Sequence, residues 1–420
     1  MGLGVGSVGL NTNIKTILLA FFFLAVSLSV ALQQTALGLL LLLLVVQCWQ
    51  RRTIPTTPLD RALLLLFGAL LLSTLVSPDI GNSLLSYRKL WLVGAFFASF
   101  MLVTDRQEAE RMIKFFVIFA VLVAGYGIVQ HFTGLDLAKQ LVGKPASLDP
   151  FWFGRQEGFR TKGLHPSGIT YAHNLLFPLS IITAWVFAPT MSGKQRLLLI
   201  GGWAVMILAL LFSLTRGVWV AYMIVLVVLG IIRGGKTVVG VAGGIVLLGG
   251  LLFTAGAGVQ ERVWKTFDLK ENLGRSQIWR ANLDMLKDRP FFGWGYGNYR
   301  KFREPYYQRY PKADHSGHAH NSFLQIAVDS GLVGLTAFLA FFVVLLRTGW
   351  HAYRLLPPTA EPSSTEPLRS FALGAWLSII GFLIGGMTQH NFGDAEVVIV
   401  MWAVAGLLVK MATWAAVEEE

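Results

Sequence analysis

The feature that most limits this chain is the recurrence of long, uncharged apolar stretches. Roughly 16 to 22 residues pass at a time without an ionisable side chain, the length an α-helix needs to cross the hydrocarbon core of a bilayer. The runs Leu37–Val46 and Val238–Gly256 are clear cases. A water-soluble domain has no use for so many, and the balance of residues agrees. Apolar types make up 54% of the chain and charged types 14%, against about a quarter charged in soluble domains. The expected fold is therefore an all-α polytopic membrane protein, with residues 1–420 forming one membrane domain and its longer loops a subdomain. The single cysteine, Cys48, excludes an intramolecular disulfide and a thiolate metal cluster. Lys15 precedes the first apolar run, but a second run follows almost at once without a small-residue cleavage site, so the first span is expected to stay.

Twelve spans are expected, near 14–32, 35–50, 59–77, 84–104, 112–132, 167–188, 197–214, 216–233, 237–256, 320–346, 368–388 and 394–414. Cations mark every second connection. They are Arg51, Arg52 and Arg61, then Arg106, Arg111 and Lys114, then Lys194 and Arg196, then Arg233 and Lys236, then Arg347, Arg354 and Arg369. Short basic loops stay in the cytoplasm, so these five predict that both termini are cytoplasmic and that the other loops face outward. Two outward loops are long, 133–166 and 257–319, and both are rich in Gly, Pro and aromatics. The second carries Trp264, Trp279, Trp294, Tyr296, Tyr299, Tyr306, Tyr307 and Tyr310. Within it Ser276–Lys287 reads as an amphipathic helix, with Trp279, Leu283 and Leu286 on one face and Pro290 helping to end it. No repeat of fixed period is evident.

The outward side is unexpectedly basic. It holds 20 of the 35 Lys and Arg residues, and the 257–319 loop alone has twelve against seven acids. Long loops escape the orienting rule, so insertion is not obstructed, but the excess needs a reason. One is a basic surface resting on anionic head groups. The other is a site for phosphorylated lipids. Several of these cations lie at the membrane boundary rather than in loop middles: Arg88 and Lys89 at the start of span four, Arg160 before span six, Arg216 between two spans with almost no loop, and Arg275 at the opening of the amphipathic helix. An arginine there is costly unless it snorkels or finds a partner, and its planar fork suits phosphate oxygens. Any one of them alone reads equally as an interfacial anchor. Gly217 and Gly274 beside two of them would let a ligand approach the backbone. Nucleic acid is a poor partner for this basic balance, because the charge faces the wrong compartment.

His315, His318 and His320 make a His-Ser-Gly-His-Ala-His run. A zinc cluster would need a spacing that suits one helix face or a finger, and this one suits neither. The alternative is one general base among loop histidines. His320 is best placed, at the start of span ten with Asn321 after it, because a neutral imidazole takes a proton from a sugar hydroxyl near pH 7. His390, Asn391, Asp394 and Glu396 cluster in the last outward turn. Asp394 suits the N-cap of the last span, or it orients an arginine or a histidine. The middles of the spans are almost free of ionisable residues, which argues against a transporter and for chemistry at one surface.

Several of these segments resemble one known family. His320-Asn321, nine residues, then Gly331-Leu-Val-Gly334 resembles the His-(Asn/Ser/Gln)-x9-Gly-x2-(Gly/Thr/Tyr) signature of the O-antigen ligases. Gly274-Arg-Ser-Gln-Ile-Trp279 followed by Pro290-Phe-Phe-Gly-Trp-Gly-Tyr-Gly297 is similar to the core of the O-antigen ligase and polymerase superfamily, as is Ser213-Leu-Thr-Arg216-Gly217. The family's Arg-x3-Leu pattern fits literally at Arg88-Lys-Leu-Trp-Leu92 and imperfectly at Arg216, where Val220 takes the Leu place. At motif level the likeness covers about 210–335. It implies a glycosyltransferase-C-like enzyme of the bacterial inner membrane. Such an enzyme moves polysaccharide from undecaprenyl diphosphate to a sugar of lipid A–core at the periplasmic face, with inversion and without metal, nucleotide sugar or other cofactor. It also implies roles: His320 activating the acceptor, Arg275 stabilising the departing diphosphate, Arg216 and Arg160 holding it, with Arg88 and Lys89 as further diphosphate contacts. His318, Asn321, His390 and Asp394 would support them. A polymerase of the same superfamily is the alternative, and a transporter a more distant one.

Overall fold

The computed structural model describes residues 12–52, 56–141, 143, 148, 150–153, 156–189, 193–254, 269–313, 317–356 and 366–417. Trp264 and His315 lie outside the described residues. The chain is helical almost throughout: α1 (Thr12–Ala25), α2 (Val30–Arg51), α3 (Asp60–Leu75), α4 (Ile80–Tyr87) and α5 (Gly94–Leu102), then α6 (Arg106–Thr133), α7 (Gly168–Val186), α8 (Gly193–Phe212), α9 (Arg216–Arg233), α10 (Gly235–Thr254), α11 (Leu269–Asp288), α12 (Ser322–Leu355), α13 (Glu366–Gly386) and α14 (Ala395–Val417). Eight of these, α2, α6 to α9 and α12 to α14, are long and apolar enough to cross a membrane. Helices also occupy the other four expected spans without being counted among the eight. The protein is an all-α membrane protein. One small ribbon departs from this: β1 (Pro150–Phe153) pairs antiparallel with β2 (Gln156–Phe159).

Span four is not one helix. A 3-10 stretch, Arg88–Val93, joins α4 to α5, so the Arg88-Lys-Leu-Trp-Leu92 motif sits in a tighter turn than an α-helix allows. At the centre of the bundle stand α7 and α14, whose apolar windows are 94% and 83% buried against 22% for α8. A helix apolar on all sides belongs inside, and α7 packs against α13 while α14 packs against α5 and α12. Phe96 and Phe392 meet Trp402 edge to face there, and Phe341 lies tilted against it. At one end of the bundle, cations meet helix C-terminal carbonyls. Arg233 donates to the Phe187 carbonyl (2.6 Å), Arg196 to that of Ala188 (2.7 Å) and Arg369 to that of Leu356 (3.0 Å). Each satisfies an oxygen that the helix leaves open, at its negative end.

The amphipathic helix lies within the longer α11, and its buried side differs from the expected one. Ile278, Ala281 and Met285 are fully buried, whereas Leu283 is 48% exposed. Trp279 and Leu286 pack only partly, against a second core made with Tyr299, Tyr306, Tyr307 and Val328. Apolar residues line two faces of α11, and the partners, not the periodicity, decide which is covered.

Inside α12, Gly331 breaks the helix with φ +66° and ψ −170°. The Pro290–Gly297 segment fills the break. The Leu332 amide donates to the Pro290 carbonyl (2.7 Å), while the Trp294 and Gly295 amides donate to the carbonyls of Val328 (3.0 Å) and Asp329 (2.8 Å). Groups that a broken helix would orphan in the interior are thereby paired. The spacing in His-Asn-x9-Gly thus measures one helical segment, from its N-cap at Asn321 to its break.

Candidate active site

His320 stands just before α12 with a left-handed backbone, φ +49°. Three contacts fix its loop. Trp279 of α11 donates its indole N–H to the Ala319 carbonyl (3.2 Å), the Ala319 amide donates to Gln325 Oε1 (2.8 Å), and the Asn321 side chain caps the Leu324 amide (3.0 Å). The turn between α13 and α14 closes over it. Ser322 Oγ donates to Asn391 Oδ1 (2.9 Å), and Asn391 Nδ2 to the Phe382 carbonyl (2.7 Å). From this turn Gln389 Oε1 reaches His320 Nδ1 at 3.0 Å. A neutral ring donating from Nδ1 presents Nε2 as a lone pair, the form a general base needs.

Two further imidazoles crowd the same corner. The rings of His318 and His320 lie 4.3 Å apart, and His390 lies 6.1 Å from His318. His390 Nδ1 is sealed from water without a partner. Desolvation, and then the neighbouring His318 and His320, push the His390 pKa down to about 3, so it stays neutral. An unfolded histidine takes a proton near 6.5. Between these values the unfolded chain binds more protons than the folded one, so stability falls as pH is lowered through this window. Melting of the detergent-solubilised protein is expected to drop from pH 7 to pH 5, and His390→Gln to blunt that drop. An unchanged pH profile in the variant would refute this account. Among the described residues no three His, Cys, Asp or Glu are placed to hold a metal ion.

The arginines approach from the other wall. Arg216 is the first residue of α9, after a turn in which Leu214 has φ +54°. Arg160 grips that turn: Nε donates to the Ser213 carbonyl (2.7 Å) and Nη2 to Thr215 Oγ1 (3.2 Å), while Thr215 Oγ1 donates to the Gly168 carbonyl (3.1 Å). Arg216 Nη1 is buried and has no hydrogen-bond partner. Arg216 and Arg275 line one cavity of about 520 Å³ together with Ser276, Trp279 and Thr388. Gly217 permits its closeness, since a Cβ there would lie 2.1 Å from Thr388 Oγ1. Two walls of this cavity lead straight to His320. Trp279 bonds the residue before it, and Thr388 precedes the glutamine that holds its ring. The N-terminus of α9 adds its positive dipole end, so the cavity favours an anion.

Of the remaining candidates, Asn321 acts as a helix cap. Asp394 accepts from the Thr170 hydroxyl (2.7 Å) and the Glu396 amide (3.1 Å), and so also serves to fix a helix start. Arg88 and Lys89 line a different cavity, which shares no residue with that of Arg216. Gln389 was not legible as a site residue, nor His165 as the buried partner (2.5 Å) that ties Glu396 of α14 to the segment before α7, since nothing in a single sequence announces partners 69 and 231 positions apart.

Residues 202–339 match the family model described as O-antigen ligase. This third of the chain is similar to the O-antigen ligases. No curated protein matches it. The matched segment contains Arg216, Arg275, His320 and the Gly331 break, so the residues gathered here are the part of the chain that is similar to this family. The α13–α14 turn that holds His320 lies beyond the match.

Proposed function

We propose that this protein joins a polysaccharide, delivered on undecaprenyl diphosphate, to a sugar hydroxyl of lipid A–core at the periplasmic face of the inner membrane. The observation that carries this reading is the cavity shared by Arg216 and Arg275, whose walls also hold the His320 loop. His320 Nε2 takes the proton of the acceptor hydroxyl as its oxygen attacks the anomeric carbon. The bond from that carbon to the diphosphate oxygen breaks on the opposite side, which inverts the centre. The diphosphate gains charge as it leaves, and preorganised guanidinium groups stabilise that charge more than the ground state. Arg160 acts through the turn that presents Arg216.

A reaction of purified protein with lipid-linked polysaccharide and lipid A–core tests this. Polysaccharide on lipid A–core is the expected product, and lengthened lipid-linked chains would instead select a polymerase. The guanidinium groups do the work that a divalent ion does in many glycosyl transfers, so the rate is expected to be unchanged by a chelator. Loss of turnover on chelation, restored by a divalent ion, would refute the metal-free step.

A further inference from the structure

The second basic region has a use of its own. Lys89 lines two cavities at once, one of about 570 Å³ and one of about 500 Å³, so the two adjoin at this side chain and are described together as one cleft. The larger part is walled by Arg88 and by the apolar side chains of Trp91, Val398 and Trp402. The smaller part is polar and includes Asn82 and Arg300. Arg88, Lys89 and Arg300 are exposed and make no hydrogen bond or ion pair among the described residues, while Asp79, the acid of the polar part, is taken up by Lys301. A surplus of unpaired cations beside an apolar trough fits an amphiphile with phosphate on its polar head.

The cleft reaches the imidazole cluster from another approach than the Arg216 cavity. Arg300 lies across Gly317, where a Cβ would fall 2.4 Å from Nη2, and Gly317 directly precedes His318. Gly393, which lines the apolar part, packs on the His390 ring. The α13–α14 turn therefore borders one cavity through Thr388 and the other through Gly393, with Gln389 and His390 between them in the chain. A transfer between two lipids needs two lipid seats that meet at the base.

We infer that the Arg88–Lys89–Arg300 cleft seats the phosphorylated sugar headgroup of the acceptor glycolipid, leaving the Arg216–Arg275 cavity to the donor diphosphate. This rests on the ligase reading for the identity of the acceptor, but the seat itself is tested by binding, without turnover. The full chain in nanodiscs is titrated with lipid A, with phosphatase-treated lipid A, with glucosamine 6-phosphate and with undecaprenyl diphosphate. Lys89→Ala combined with Arg300→Ala is expected to weaken lipid A binding about ten- to a hundredfold, the scale of lost charge-assisted hydrogen bonds. Undecaprenyl diphosphate binding should be unchanged, Lys89→Arg should bind lipid A like the parent, and dephosphorylated lipid A should bind the parent as weakly as lipid A binds the double variant. Equal lipid A affinity in parent and double variant, or loss of undecaprenyl diphosphate instead, would overturn the assignment. So would the free sugar phosphate binding as tightly as lipid A, because the seat would then not read a lipid. If this binding pattern holds while no polysaccharide is transferred to lipid A–core, the seat stands and the ligase reading falls.

Discussion

His320→Ala is expected to yield a folded, membrane-inserted protein whose transfer of polysaccharide to lipid A–core falls by ~100- to 10,000-fold, the usual worth of a positioned general base. Arg275→Ala should cost ~100- to 1,000-fold, the scale of removing one preorganised donor from a developing negative charge. Both losses belong in turnover rather than in acceptor affinity, since each contact strengthens only as the bond to the diphosphate breaks. The double variant should fall little below the worse single one, because base and leaving-group stabiliser act in one transition state. Initial rates in proteoliposomes, with size-exclusion profiles to confirm folding, give the answer. Parent-like rates in both variants would remove His320 and Arg275 from the chemistry. The geometry behind the expectation is the cavity wall that Arg275 shares with Trp279 and Thr388, each one step from the residues that hold His320.

Gly331→Ala is expected to be the most damaging single methyl in the chain. At φ +66° and ψ −170° an L-residue is strained, and a Cβ there would lie 2.1 Å from the Phe291 carbonyl oxygen and 2.5 Å from the Phe292 nitrogen. These are backbone atoms that cannot swing away. Strain and overpacking together predict a loss of ~3–5 kcal/mol, read as a sharply lower melting temperature and yield in detergent. Gly125→Ala provides the contrast. Inside α6 a Cβ there meets nothing within 4 Å, so the variant should melt close to the parent. If Gly331→Ala melted and worked like the parent, the helix break would not be what the motif encodes. The consequence would reach the site, because the Pro290–Gly297 segment that fills the break also carries Asn298 and Tyr299 into the core beneath the His320 loop, where the Tyr299 amide bonds Asp329 and Asp329 bonds Gln325.

The helical membrane architecture and the motifs resembling those of the O-antigen ligases are legible in consecutive residues, whereas the outward cations look like one group. Arg216 and Arg275 line one cavity, Arg88 and Lys89 another, and Arg160 braces a turn instead of lining either. The residue types carried no signal of this division, since each is an arginine or lysine at a helix end. The same limit hid Gln389, a neutral side chain in the last turn that orients His320 across 69 positions. It also misjudged α11, where Leu283 looks as apolar as its neighbours yet stays 48% exposed.

What the sequence determined by itself is what the solvent imposes on every helix separately. Apolar length must match bilayer thickness, and a glycine must stand where the backbone turns out of the helix, and both are local properties written in consecutive residues. Which cations share a cavity, and which side chains hold the His320 loop beside it, was decided only by how α9, α11, α12 and the α13–α14 turn pack together. Convergence of side chains depends on the angles and offsets between helices distant in sequence, and those follow from the fit of many surfaces at once.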